Sequence, residues 1–220
     1  MARLKIAVLI SGRGTNLDAL IRACAAADFP AEIKLVISNR GDAAGLQRAA
    51  QANIPTTVIP HRDYPSREAF DAAITAALQA AQIELVCLAG FMRLLTAGFV
   101  AQWRDRLINI HPSLLPAFPG LDTHARALAA GVRFAGCTVH FVRAEMDHGP
   151  IVVQAAVPVL PGDDAATLAA RVLAAEHRAY PLALRLMGEG RVKIVGERVA
   201  IAGAAGRIAT LLNPSDESQA

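Results

Sequence analysis

The sequence predicts an α/β fold: a doubly wound, mostly parallel sheet with a more irregular, partly antiparallel C-terminal part. Two observations lead to this expectation. Apolar residues make up 54% of the 220 residues and charged residues 19%, a balance that favours a buried core over a disordered chain. In the first ninety residues, apolar runs alternate with segments of helical length. Such strand–helix–strand units join parallel strands by right-handed crossovers.

The strands of the first half are short apolar runs, typical of strands that are covered on both faces of a sheet. The alanine-rich segment after Ser66 favours a helix, and Glu68 and Asp71 stand near its start, where the helix dipole favours acids. The predicted elements are, in order, strand Leu4–Ile10, helix Asn16–Ala27, strand Ile33–Ser38, helix Asp42–Ala52, strand Thr56–Ile59, helix Ser66–Ala80 and strand Ile83–Ala89.

The second half is less regular. Pro112, Pro116 and Pro119 exclude a regular helix or strand, and a stiff, apolar loop of this kind is typical of a pocket wall. The predicted elements are strand Leu107–Ile110, strands Phe134–Val142 and Ile151–Val159, helix Ala165–Met187, and a hairpin of Val192–Val195 with Arg198–Ile201. We expect one domain over residues 1–212, with halves at about 1–105 and 106–190, the hairpin within 191–202, and a frayed tail at 213–220.

Composition argues against several functional classes. The net charge of +3 comes without a Lys/Arg block, and aromatic residues are 5%, so we expect no nucleic-acid partner. No apolar run reaches the roughly 18 residues of a membrane span. Cys24, Cys87 and Cys137 are far apart and odd in number, which predicts reduced thiols in the cytoplasm. The six histidines show no metal-ligand spacing, so we expect no metal.

A glycine turn, Ser11–Asn16, joins the first strand to the first helix. Backbone N–H groups at such a helix start favour a phosphate. A dinucleotide fingerprint would need glycine where Leu17 stands and an acid at the end of the second strand, where the sequence has Asn39. The turn therefore predicts either the phosphate of a single nucleotide or an ordinary strand-to-helix turn capped by Thr15 or Asn16.

Asn109 and His111 lie at the carboxyl end of a predicted strand, the edge where ligands bind in open α/β sheets. In an extended segment their side chains point to the same side. An amide donor beside an imidazole can stabilise an oxyanion and move protons in acyl transfer. Asp147 stands in a turn before the next strand and would raise the pKa of His111 if the two paired. A structural histidine and a solvated aspartate are the simpler alternatives.

Six motifs follow one another along nearly the whole chain. They are Val8–Leu17, Leu88–Arg93, Asn109–Pro116, Thr138–Val142, Asp147–Ile151 and Glu176–Pro181. In this order they closely resemble the phosphoribosylglycinamide formyltransferases, folate-dependent enzymes of purine synthesis. The resemblance extends from about residue 4 to about residue 195.

The resemblance implies a Rossmann-like formyltransferase fold and a one-carbon group transferase without a metal. The formyl group of 10-formyltetrahydrofolate would pass to the amine of N1-(5-phospho-β-D-ribosyl)glycinamide, giving the N-formyl product and tetrahydrofolate in de novo purine (IMP) biosynthesis. The residues that match the family's catalytic groups are Asn109, His111 and Asp147. Those that match its ribonucleotide site are Gly14, Thr15, Asn16 and Glu176. Those that match its folate site are Arg67, Met92, Arg93, Leu94, Leu95, Asn109, Arg143, Ala144, Glu145, Met146 and Asp147.

Three alternatives share part of this pattern. Methionyl-tRNA formyltransferases carry a further C-terminal domain, and formyltetrahydrofolate hydrolases carry a domain ahead of the first strand. We expect neither in a chain of this length whose first strand starts at Leu4. A non-catalytic nucleotide-binding module would be favoured by the absence of Asn109, His111 or Asp147. We therefore expect a cytoplasmic enzyme, monomer or homodimer, whose partners are its two small-molecule substrates.

Overall fold

The computed structural model describes residues 2–203 and 210–214. Its main sheet has the strands β1 Leu4–Ile10, β2 Ala31–Ser38, β3 Thr56–Val58, β4 Leu85–Leu88, β5 Leu107–His111, β6 Phe134–Phe141 and β7 Ile151–Pro158. Their order across the sheet is β3-β2-β1-β4-β5-β6-β7. The first five pair in parallel, whereas β6 and β7 pair antiparallel. The predicted sheet, parallel at first and antiparallel toward the C-terminus, is confirmed.

The helices are α1 Thr15–Cys24, α2 Ala44–Gln51, α3 Arg67–Ala80, α4 Ala97–Gln102, α5 Thr123–Ala129 and α6 Ala165–Gly188, with a short 3-10 turn at His61–Asp63. The strands β8 Val192–Val195 and β9 Arg198–Ile201 form the predicted hairpin. In the part of the chain that the structure describes, no helix is long and apolar enough to cross a membrane. Residues 215–220 of the predicted frayed tail lie outside that part.

Two helices are absent from the sequence-based prediction, and a third ends earlier than predicted. α4 has six residues and α5 has seven, so each makes about two turns and shows too little hydrophobic periodicity to stand out. The predicted first helix continued to Ala27, but α1 ends at Cys24, and a backbone hydrogen bond from Phe29 to Ala26 then turns the chain toward β2.

The sheet separates two apolar layers, and β1 shows the division most clearly. Ile6, Val8 and Ile10 face one layer, whereas Ala7 and Leu9 face the other, as the two-residue period of a strand requires. Most of the helical side chains in the first layer come from α1 and α6, and those in the second come from α3 and α4. These five side chains are fully buried, which explains why Ile6–Ile10 is a continuous apolar run.

The strand order reverses between β1 and β4, which are parallel neighbours in the sheet: β2 and β3 extend the sheet on one side of this pair, and β5, β6 and β7 extend it on the other. The helix after β1 packs on one face and the helix after β4 packs on the other, so a crevice opens between the two strand ends. The segment after β4 is fixed from the second layer. Asp71 accepts a hydrogen bond from the backbone N–H of Thr96 at 2.7 Å, and Phe70 stacks on Phe91 with ring centroids 6.4 Å apart. This segment forms part of the walls described below.

Candidate active site

The glycine turn is built by close packing of two backbones. Gly14 is the N-cap of α1 and has φ of +71°, the left-handed region that favours glycine. A Cβ at this position would lie 2.6 Å from the Cα of Gly45, at the start of α2. Among the described residues no side chain caps α1, which contradicts the alternative of a cap by Thr15 or Asn16. The first N–H groups of α1 are therefore left for another partner.

Asn16 connects this turn to α6. Its Nδ2 donates to Oε2 of Glu176 at 2.6 Å, and Glu176 is 7% exposed. Burial raises the pKa of Glu176, against the opposing effects of the Asn16 hydrogen bond and the charge of His111. The other amide atom, Oδ1 of Asn16, is buried and has no hydrogen-bond partner among the residues that the structure describes. A buried acceptor of this kind needs a donor, and a ligand hydroxyl would supply one.

His111 ends β5 with both ring nitrogens engaged. Nδ1 lies 3.3 Å from Oδ1 of Asp147, and Nε2 lies 3.0 Å from the carbonyl oxygen of Phe118. Burial acts to lower the pKa of His111, but the hydrogen bonds to Asp147 and to Phe118, together with the charges of Asp147 and Glu176, outweigh burial and raise it. Because both neighbours are acceptors, the geometry favours the imidazolium, which has two N–H donors.

Asp147 joins two loops. Besides facing His111, its Oδ2 accepts the backbone N–H of Gly120 at 2.7 Å, and its backbone has φ of +52°. Burial acts to raise the pKa of Asp147, but the hydrogen bonds from His111 and Gly120 and the charge of His111 lower it. Asp147 is thus held as a carboxylate, and a carboxylate beside His111 stabilises the charged ring.

His140 lies behind Asn109 on β6. Nδ1 of His140 is 3.0 Å from the carbonyl oxygen of Phe141, which assigns the proton to Nδ1 and leaves Nε2 as an acceptor. Nδ2 of Asn109 is 3.5 Å from that Nε2, so the amide nitrogen is on the His140 side. Burial lowers the pKa of His140, which keeps the ring neutral. Asn109 thereby keeps one N–H free for a ligand.

Two cavities meet at these side chains. The first, of about 610 Å³, is lined by Gly90–Leu94, Asn109–Pro112, Gly120–His124, Met146 and Asp147. The second, of about 450 Å³, is lined by Arg67, Leu88, Phe91, Arg93–Ala97, Val100, Asn109, His140 and Val142–Asp147. Both volumes lie in the range of small-molecule sites. Asn109 and Asp147 belong to both walls, whereas His111 belongs to the first.

The predicted site residues are distributed unevenly between these cavities. The folate-side residues that line the second cavity are Arg67, Arg93, Leu94, Leu95, Asn109, Arg143, Ala144, Glu145, Met146 and Asp147. Met92 lines the first cavity instead. The four residues predicted for the ribonucleotide contribute to neither wall as described, although the Asn16–Glu176 bond and the charge of Glu176 on His111 link them to the site.

Sequence reasoning missed several members of the site. The carbonyl of Phe118 and the N–H of Gly120 are backbone groups, which no residue pattern marks. His140 has no assigned role in the sequence analysis, and it reaches the site because it is the direct partner of Asn109 in the β5–β6 register, which the sequence does not specify. Thr123 and His124 on α5 also line the first cavity, and the unpredicted helix concealed them.

The profile of the formyl transferase family matches residues 4–184. The chain belongs to the formyl transferase family. Among curated relatives, the trifunctional purine biosynthetic protein adenosine-3 of Drosophila pseudoobscura pseudoobscura is 55% identical over 197 residues, which are 89% of this chain and 14% of that protein. The phosphoribosylglycinamide formyltransferase of Escherichia coli is 45% identical over 191 residues, 87% of this chain and 90% of that enzyme.

A solved structure shows the same fold. Glycinamide ribonucleotide transformylase 1 from Symbiobacterium toebii superposes with a TM-score of 0.88 at 53% identity, covering 90% of this chain and 94% of that chain. This chain thus spans 14% of the length of the trifunctional relative and most of the length of the single-activity ones. Within residues 2–203 and 210–214, the structure shows no group of three or more His, Cys, Asp or Glu arranged to hold a metal ion.

Proposed function

We propose that this formyl transferase passes the formyl group of 10-formyltetrahydrofolate, the donor of its family, to the amine of N1-(5-phospho-β-D-ribosyl)glycinamide in de novo purine biosynthesis. The observation that carries the proposal is the meeting of two cavities at Asn109 and Asp147, beside His111. Direct transfer needs a donor site and an acceptor site that share one set of reacting groups. Similarity to the phosphoribosylglycinamide formyltransferase of Escherichia coli supports the choice of acceptor.

The ribonucleotide is proposed to bind along the turn and the first cavity. Its phosphate would take the uncapped N–H groups at the start of α1, around Gly14 and Thr15, where the helix dipole adds a favourable field. Its ribose hydroxyls would donate to Glu176 and to the unpaired Oδ1 of Asn16. The amine would then reach the first cavity, whose wall includes Asn109 and His111.

The folate donor is proposed to occupy the second cavity. Its wall combines apolar side chains, among them Leu94, Leu95 and Met146, with the guanidinium groups of Arg67 and Arg93. An aromatic pterin ring fits an apolar slot with a few polar groups, and the arginines suit the carboxylates of a folate tail.

The proposed chemistry balances within these groups. The amine nitrogen attacks the formyl carbon, and the carbonyl electron pair moves onto its oxygen. Asn109 donates its free N–H to that oxyanion. The Nε2–H of protonated His111, which donates to the carbonyl oxygen of Phe118 in the free protein, donates to the oxyanion instead. The bond from the formyl carbon to the folate nitrogen then breaks, the attacking nitrogen gives up one proton and the folate nitrogen gains one. Asp147 stabilises the imidazolium throughout.

A formyl-transfer assay tests the proposal. Purified protein and 10-formyltetrahydrofolate would be incubated with the ribonucleotide, with initiator methionyl-tRNA, and with water alone. We expect turnover with the ribonucleotide and, in His111→Ala, a rate lower by about 10²–10³, the usual cost of losing an oxyanion donor. His148→Ala is the matched control, because that side chain is 61% exposed. Turnover with water alone would favour the hydrolase, and no turnover with any acceptor would favour the binding module.

The cellular setting is also proposed. We place the reaction in the cytoplasm with two small-molecule partners, and the three cysteines support that assignment. Cys24, Cys87 and Cys137 are buried and unpaired, and burial raises the pKa of Cys24 to about 11. Thiols of this kind remain protonated and unreactive in a reducing compartment. A monomer or homodimer stays a prediction, which light scattering of the purified protein would test.

A further inference from the structure

The loop Arg143–Pro150 carries Asp147 and is pinched at its base. The backbone N–H of Arg143 donates to the carbonyl of His148 at 3.1 Å, which closes the loop on itself. Gly149 has φ of +134°, and a Cβ there would lie 2.0 Å from the carbonyl oxygen of Phe141 and 3.1 Å from Cγ of Arg143. The aliphatic part of the Arg143 side chain therefore packs against Gly149, two residues after Asp147.

The guanidinium of Arg143 is engaged by protein oxygens. Its Nε donates to Oε2 of Glu197 at 2.8 Å, and its Nη1 donates to the carbonyl of Val142 at 3.3 Å. Its Nη2 lies 2.9 Å from Oδ1 of Asp105, close enough for an ion pair but not aligned as a hydrogen bond. Each of the three nitrogens thus faces an acceptor, although Arg143 belongs to the wall of the second cavity.

The two carboxylates come from distant parts of the chain. Glu197 stands in the turn between β8 and β9, and it also accepts a hydrogen bond from Arg104 at 3.0 Å. Asp105 stands before β5 with φ of +61°. The ion pairs to Arg143 therefore connect the β8–β9 hairpin and the segment before β5 to the loop that carries Asp147.

Burial decides how much this cluster matters. Exposed ion pairs contribute little to stability, but a covered charge whose partner is removed is left uncompensated. The side chain of Arg143 is 8% exposed, whereas that of Glu197 is 52% exposed. Neutralising Glu197 therefore changes an exposed side chain but affects a buried charge, because it leaves Arg143 with one carboxylate in place of two.

We propose that Arg143 is a positioning residue for Asp147 and that Glu197, with Asp105, holds Arg143 in place. The inference rests on the proposed function, because it concerns the loop of the same site, and it makes the β8–β9 turn part of that site's support. Arg143 acts on the folate pocket by fixing the loop that forms its wall, and its guanidinium is not a folate ligand.

Glu197→Gln and Arg143→Gln test the proposal, with Glu189→Gln as the matched control. Glu189 loses the same charge at the foot of the same hairpin, where it pairs with Arg191 at 3.1 Å. The first readout is the titration of His111 by proton NMR in the absence of substrates. We expect His111 to titrate at lower pH in both test variants, because a displaced Asp147 no longer raises its pKa, and to titrate unchanged in the control.

The second readout is steady-state kinetics. We expect kcat/KM for the folate donor to fall about tenfold in Glu197→Gln, in line with the cost of a small misplacement. KM for the ribonucleotide should stay at the wild-type value. The double variant should titrate no lower than Arg143→Gln alone, since both changes act through one contact.

Two results would overturn the proposal: a wild-type His111 titration in Glu197→Gln, or additive falls in the double variant. If Arg143→Gln does not fold, Glu197→Gln decides, because Glu197 is a surface residue of a turn. The titration needs no substrate, so absence of formyl transfer in the wild type would refute the proposed function while leaving this proposal to the NMR result.

Discussion

The glycine turn Ser11–Asn16 and the loop Arg143–Pro150 both border the site, but different forces hold them. The turn is held by packing, because the backbone of Gly14 approaches the backbone of Gly45 with no room for a Cβ between them. Hydrogen bonds from α2 add to this packing, because the N–H of Gly45 donates to the carbonyl of Gly12 and Nε of Arg48 donates to the carbonyl of Arg13. The contact with α6, from Asn16 to Glu176, joins a neutral amide to an acid whose pKa burial raises.

The loop also has a close backbone approach, at Gly149, but unlike the turn it is held by ion pairs as well. Asp147 faces His111 at 3.3 Å, and Arg143 faces the carboxylates of Asp105 and Glu197. Packing depends on volume and is indifferent to pH, whereas ion pairs depend on pH and tolerate changes of shape. Removal of one of these charges should therefore disturb the loop and leave the turn in place, whereas added volume at Gly14 should disturb the turn.

The largest effect is expected from Asp147→Asn. The amide keeps the shape of the side chain but removes the charge that stabilises the His111 imidazolium, so we expect kcat/KM to fall about a hundredfold, or about 2.7 kcal/mol. The pH at which activity is lost through deprotonation of His111 should also move down, because the pair with Asp147 raises the pKa of His111. Kinetics from about pH 5 to about pH 9 would measure both effects.

The same variant has a signature in stability. The pair contributes in full between the ordinary pKa values of 3.8 for Asp147 and 6.5 for His111. It is lost as pH falls through the lowered pKa of Asp147, and as pH rises through the raised pKa of His111. Wild type and Asp147→Asn should thus differ most near the middle of that window. Asp28→Asn, an exposed carboxylate, is the control, and an equal pH profile in Asp147→Asn would show that charge does not hold the loop.

The second effect sharpens the packing side of the comparison. Gly14→Ala should lower the free energy of unfolding by about 2 kcal/mol, the sum of left-handed strain and a collision with Gly45. Gly131→Ala separates the two costs, because Gly131 has φ of +66° and nothing within 4 Å of an added Cβ. Urea unfolding of both variants would measure the difference. Equal losses would mean that strain alone, and not the contact with Gly45, explains the glycine.

Much of the fold was predictable because its signals are local. The run Leu4–Ile10 is apolar at every position except Lys5, and the structure places a strand at those same bounds. α4 was missed because six residues make fewer than two turns. Its start is capped locally, because the hydroxyl of Thr96 accepts the N–H of Phe99, and Asp71 on another helix then fixes the cap by accepting the N–H of Thr96.

The site divides along the same line. Asn109 and His111 could be placed together because residues two apart on one strand point to the same side. The acceptor at Nε2 of His111 is the backbone carbonyl of Phe118, which has no residue signature. Glu197 lies 54 positions beyond its partner Arg143, so that contact depends on the whole fold. Which side chains stand together at the strand end could be predicted from the sequence, whereas their backbone partners and the long-range ion pairs could not.

The smallest effect expected is a gain. Glu176 is buried, and its pKa is raised above the ordinary 4.5. A raised carboxyl pKa costs stability as pH rises above the unfolded value, and the full cost is present above the folded value. Glu176→Gln removes that cost and can still accept from Asn16 through its amide oxygen. We therefore expect Glu176→Gln to be more stable than the wild type near pH 8.

The pH dependence of this gain distinguishes it from a general packing effect. The gain should vanish at pH values below 4.5, where the carboxyl is protonated in both folded and unfolded chains. Glu32→Gln, from an exposed pair with Lys34 at 3.6 Å, is the control and should change little at any pH. The same Glu176→Gln protein should bind the ribonucleotide more weakly, since a carboxylate accepts hydroxyl hydrogen bonds more strongly than an amide does. A variant that is more stable at high pH yet binds less well would mean that Glu176 is buried at the cost of stability in order to hold a ligand.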